Sequence, residues 1–153
     1  SSLVGAGWTE AKAYCIDILK YREVSELVTW SDLKETCLAG FDIGSHTRTH
    51  ARLTDLSKTP ESLEDQVSGS KKEFENQLGI ECKYISWPFG KRTDADSKSL
   101  AMIKERGYRA CFGAFRAPII ARSTDTYKIP RHHFEVQWPL SHSLLFAGGF
   151  HER

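Results

Sequence analysis

The sequence predicts an α/β fold of crossover units around a mainly parallel sheet or barrel. Three observations predict it. Stretches with helical spacing alternate with short strand-like runs from residue 9 onward. Most helical stretches carry a start or stop signal. No repeat, low-complexity block or long linker interrupts the 153 residues, so 1–153 reads as one domain.

Taken in order, Thr9 caps a helix to about Lys20, with Ala13, Ile16, Leu19 and Tyr21 at mixed amphipathic spacing. Ser31 caps a short helix over 32–39, and Gly40 suits the position after its end. A short strand over 41–44 follows. Thr59-Pro60 is a strong helix start, because proline at the first position gives up only an N–H with no helical partner. Leu63, Val67, Phe74 and Leu78 then recur near helical spacing, and Gly79 ends the run. Residues 82–86 read as a strand. Asp94 caps the next helix, whose inner face carries Leu100 and Ile103 and which Gly107 closes. Residues 108–112 and 127–134 read as strands, with Pro130 pushing the last toward an edge or a bulge.

Composition excludes several classes. Lys and Arg total 21 against 20 Asp and Glu, a net charge of +1 with both signs interspersed. That is neither a basic nucleic-acid module nor an acidic disordered tail. The longest nearly apolar run, residues 144–150, is far too short to span a bilayer. No basic stretch opens the chain in the manner of a signal peptide. The first residue is Ser1 and the sole methionine is Met102, so the chain is expected to be a piece or processed form of a longer protein. Cys15, Cys37, Cys82 and Cys111 are widely spaced, which favours buried, reduced thiols.

In crossover folds the chemistry sits at the C-terminal ends of the strands. After the first strand comes Gly44-Ser45-His46-Thr47-Arg48-Thr49-His50. Two histidines four apart share one face of a helical turn, so both imidazoles can reach one cation. With six histidines in the chain, such a pair alone is weak and is equally a pair of solvated or capping side chains. After the next strand comes Ser86-Trp87-Pro88-Phe89-Gly90, where Pro88 and Gly90 force a turn. By itself this is an ordinary turn closed by two aromatics.

The ordered pair is more specific. The run F-D-I-G-S-H-T-R-T-H-A-R-L, a capped helix ending L-G, then K-Y-I-S-W-P-F-G and a helix ending E-R-G-Y-R-A resembles the polysaccharide deacetylase family. This is the NodB-homology domain, or carbohydrate esterase family 4. The resemblance spans about 30–131. It implies a distorted (β/α) barrel that hydrolyses acetyl groups on chitin-like or peptidoglycan-like sugars with a divalent metal, commonly zinc. It implies that His46 and His50 bind the metal, that the Phe89 N–H holds the oxyanion, and that Trp87 and Phe89 line a sugar groove with Pro88, Gly90 and Arg131. Leu140-Ser141-His142 matches the family's last motif literally and makes His142 a candidate general acid, with His132 and His133 as competitors.

The match departs in two places. The family's T-F-D-D motif, source of the general base and a third ligand, occurs nowhere in these residues. Asp42 is a minor candidate ligand, and Asp94, Asp96 and Asp125 lie in the wrong context. The barrel is therefore expected to be incomplete at its N-terminus and the chain alone inactive. The arginine that often opens the third motif is also missing, with Ser86 or Trp87 in its place. The alternatives are a non-catalytic carbohydrate-binding remnant and a structural metal module. A Ser-His-Asp hydrolase has no support, because no G-x-S-x-G occurs.

Overall fold

The computed structural model describes residues 28–132 and 138–147. The helix expected over 9–20 lies outside them. The described order is α1 (Trp30–Leu38), α2 (Leu53–Leu56), α3 (Pro60–Glu64), a π-helical turn (Asp65–Gly69), α4 (Ser70–Leu78), β1 (Tyr84–Ser86), α5 (Ser97–Glu105), β2 (Ala110–Phe112) and α6 (Leu140–Ala147).

Local chemistry sets the helix ends. α1 begins two residues earlier than expected, because Thr29 and not Ser31 caps it. The Thr29 hydroxyl accepts the Asp32 N–H at 3.2 Å, and the Asp32 carboxylate accepts the Thr29 N–H at 2.7 Å. α5 likewise starts from Asp96 and not Asp94. Asp96 and Ser99 exchange the same reciprocal pair of bonds, both at 2.9 Å. Asp94 is thereby released for another role. Gly40 and Gly107 follow α1 and α5 with φ of 91° and 78°, a conformation that glycine adopts at no steric cost.

β1 and β2 pair in parallel, Tyr84 with Ala110 through Ser86 with Phe112. α5 is the crossover between them. Two single bridges extend this pair. Ser45 joins Ile85 on one side, and Ile129 joins Phe112 on the other. Four extended segments thus lie side by side in chain order. No strand forms over 41–44, where the bridge falls just after, at Ser45, and the strand expected at 127–134 is reduced among the described residues to the bridge at Ile129. At the first, only Ser45 reaches its neighbour, donating to the Tyr84 carbonyl at 2.8 Å and accepting from Ser86 at 2.9 Å. At the second, Ile129 donates to the Cys111 carbonyl of β2 and accepts from the Gly113 N–H just after it, and Pro130 has no N–H with which to continue. Phe134 is outside the described residues.

One apolar cluster sits under the helices. Leu63, Val67, Phe74 and Leu78 from α3 to α4, Leu100 and Ile103 from α5, and Ile85 and Cys111 from the strands are all buried there. Trp30, Leu33 and Cys37 of α1 pack against its edge. Among the described residues no helix is long and apolar enough to cross a membrane.

Candidate active and metal site

The C-terminal ends of the four segments converge. His46 follows Ser45, Trp87 follows β1, Gly113 follows β2, and Arg131 lies two residues after Ile129. Nδ1 of His46 is 2.9 Å from the Ser86 carbonyl oxygen and 2.8 Å from the Ser86 hydroxyl. A carbonyl only accepts, so Nδ1 carries the proton and Nε2 keeps its lone pair. The ring centroids of His46 and His50 are 4.8 Å apart, and His50 is 5.1 Å from the Phe89 ring. Packing around the His46 ring lowers its pKa by desolvation. The Ser86 carbonyl opposes that shift, and the charges of His50 and Arg131 reinforce it. Arg131 is thus close to the pair, held by a 2.8 Å bond from Nε to the Gly113 carbonyl.

The backbone here is unusual. Thr47, His50 and Phe89 have φ of 66°, 60° and 63°. Non-glycine residues adopt that region at a cost, so the surrounding contacts must hold them there. Gly90 shows why this loop needs glycine. Its φ is 76°, and a Cβ there would lie 2.3 Å from the Ala114 side chain.

Phe89 is 55% exposed, whereas Trp87 is 2% exposed. This corrects the expectation for Trp87 and for Pro88, which is also fully buried. The Trp87 ring stacks on Phe115 at 6.1 Å, and its N–H donates to the Lys91 carbonyl at 3.0 Å. Both residues support the loop from beneath and have no face left for a sugar. His142 lies on α6 with its ring against Trp138 at 6.4 Å. Among the described residues no ring contact or hydrogen bond joins it to His46 or His50. His132 is half-buried and Asp42 is exposed. His133 lies outside the described residues.

Two features escaped the sequence reading. Asp94 is 0% exposed and pairs with the Arg52 guanidinium, while its other oxygen accepts the Lys91 N–H at 2.8 Å. Arg52 also sits 4.4 Å over the Phe89 ring. A buried carboxylate needs such a partner, and this pair ties the loop after His50 to the loop bearing Phe89. The second feature is Gln66, whose side-chain oxygen accepts the N–H groups of Arg48 at 3.2 Å and Thr49 at 3.0 Å.

The sequence profile of the polysaccharide deacetylases matches residues 5–111, more than half of the chain. The chain belongs to the polysaccharide deacetylase family. The match starts well before the two motifs and stops short of Arg131. No curated protein sequence matches significantly. Solved deacetylases share the fold. The polysaccharide deacetylase BC0361 of Bacillus cereus superposes with a TM-score of 0.68 at 23% identity, over 81% of this chain and 38% of its own. The Streptococcus pyogenes deacetylase PplD, solved with acetate, gives 0.68 at 17% identity, over 80% of this chain and 52% of its own. A de-N-acetylase of Aggregatibacter actinomycetemcomitans gives 0.57 at 17%, over 78% and 53%. The chain therefore spans between about two-fifths and half of those structures.

The donor set present fits a zinc-like cation in part. His46 offers Nε2, and His50 lies beside it. Among the described residues no group of three or more His, Cys, Asp and Glu side chains gathers around a common point. His46 and His50 would supply two of the three or four protein ligands that such a site normally uses.

Proposed function

We propose that the chain is the histidine-bearing part of a distorted (β/α) barrel hydrolase that removes acetyl groups from N-acetylated polysaccharide with a divalent cation, zinc above others. The observation that carries this reading is the meeting of His46, His50 and Phe89 at the ends of adjacent parallel segments. A bound cation would supply an acidified water and polarise the acetyl carbonyl.

The chain's own residues account for the rest. His46 presents Nε2 because Ser86 engages Nδ1. The Phe89 N–H takes no backbone acceptor among the described residues and is free to donate to the developing oxyanion, an interaction worth about 3 kcal/mol where it has been removed in other hydrolases. The exposed Phe89 ring offers an apolar face to a sugar. Arg131 borders the same site and would hold polar groups of the polymer. His142 is left out of this reading, because among the described residues no ring contact or hydrogen bond joins it to His46 or His50.

Acetate release by the full-length protein from an N-acetylated polymer tests the proposal. Release should stop with a chelator and with His46→Ala. Activity indifferent to both would sink it. These 153 residues alone are proposed to be inactive, for want of the T-F-D-D aspartates. Tight one-to-one zinc binding by them alone would contradict that. The second reading, a carbohydrate-binding remnant, is favoured by the same missing aspartates. Polymer binding without acetate release by the full-length protein would decide for it.

A further inference from the structure

The π-helical turn is the least expected element in the described chain. π turns are rare and concentrate at functional sites. Sequence spacing gives one continuous helix from Pro60 to Leu78, yet five residues in its middle, Asp65–Gly69, are wound more loosely. The winding has a geometric consequence. In an α-helix, residues five apart lie about 140° round from each other. In π winding, i→i+5 bonding places them close to one face.

That face meets the histidine loop. Asp65 pairs with the Arg48 guanidinium. The Gln66 side-chain oxygen takes the N–H groups of Arg48 and Thr49. The Ser70 hydroxyl lies 2.9 Å from that of Ser45. Gly69 completes the fit, because a Cβ there would stand 2.8 Å from the Asp65 carboxylate. Asp65 and Gln66 from the turn, with Ser70 directly after it, thus grip the segment Ser45–Thr49, which runs from just before the first histidine to just before the second. Gln66 is buried at 7% exposure, and both its partners are donors, so the acceptor end of its amide must face the loop.

We propose that Gln66 is a positioning residue, and that the π turn exists to aim it at the backbone between His46 and His50. The strained φ values of Thr47 and His50 need a hold of this kind. Without it, the loop relaxes and the two imidazoles separate. The metal half of this inference rests on the deacetylase reading; the hold on the loop does not.

The test uses the full-length protein with two readouts. Amide hydrogen exchange in metal-free protein reports the hold on Arg48 and Thr49, with the Leu100 amide of α5 as reference. Zinc titration reports the consequence. In Gln66→Leu, exchange at Arg48 and Thr49 should rise at least tenfold with Leu100 unchanged, and zinc affinity should fall about tenfold. Gln66→Glu, which keeps an acceptor oxygen, should restore both. If Gln66→Leu fails to fold, Gln66→Asn, which withdraws the amide by one methylene, should show the same pair of effects. Unchanged exchange at Arg48 and Thr49 would overturn the proposal. So would faster exchange with zinc affinity within twofold of wild type. Zinc binding indifferent to His46→Ala would instead overturn the metal reading, and the exchange rates would still decide whether Gln66 holds the loop.

Discussion

Nδ1 of His46 lies 2.9 Å from the carbonyl oxygen of Ser86. That contact fixes which nitrogen carries the proton and which faces outward, and it does so with backbone. Ser86 ends β1, and its N–H also bonds the Ser45 carbonyl immediately before His46. The imidazole is therefore oriented by the same strand pairing that builds the sheet.

Desolvation holds the His46 imidazole below its ordinary pKa of 6.5, with the Ser86 carbonyl opposing. The folded state thus favours neutral imidazole. Its contribution to stability is complete above 6.5 and is lost as pH falls below that value toward the folded-state pKa. Urea unfolding in chelator-containing buffer should show stability falling as pH drops below about 6.5. His46→Gln should flatten part of that slope. Identical slopes in both proteins would refute the assignment.

Asp94 is fully buried against half-buried Arg52. Removing one partner strands the other, at a cost of about 3 kcal/mol. Arg52→Met should therefore destabilise strongly, and adding Asp94→Asn should recover part of the loss because no buried charge remains. Chemical denaturation of both variants measures this. Additive losses would show that the two side chains do not act as a pair.

The thiols should differ in reactivity. Burial pushes Cys111 up to about 12 and raises Cys82 as well. Both should resist alkylation at neutral pH until the protein unfolds, while half-buried Cys37 reacts first. Because the folded pKa of Cys111 is raised, its stabilising share is present below the ordinary value of 9.0 and declines as pH rises past it. Mass-resolved labelling in native buffer would refute this if Cys111 were modified as fast as Cys37.

The sequence made much of this site legible. The two histidines, the Pro88-Phe89-Gly90 turn and the order of helices and strands could be read because they are local patterns. The inward positions Leu63, Val67, Phe74, Leu78, Leu100 and Ile103 are all in the core. What failed depended on distant partners. Trp87 became core because Phe115 folds under it. Asp94 looked like a helix cap because Asp96, two residues on, satisfies the same rule, and its true partner is 42 residues away. The π turn left no trace because the apolar spacing along Leu63 to Leu78 suits an α-helix nearly as well. Of the two short strands, the described residues keep only single bridges, at Ser45 just after 41–44 and at Ile129, where Pro130 ends the ladder.

The most direct measurement is zinc titration of the full-length protein, wild type against His46→Ala and His50→Ala. The expected result is one equivalent bound by the wild type, with affinity reduced about 100-fold or more in either variant, since each loses a ligand. Wild-type affinity retained in both variants would contradict the account.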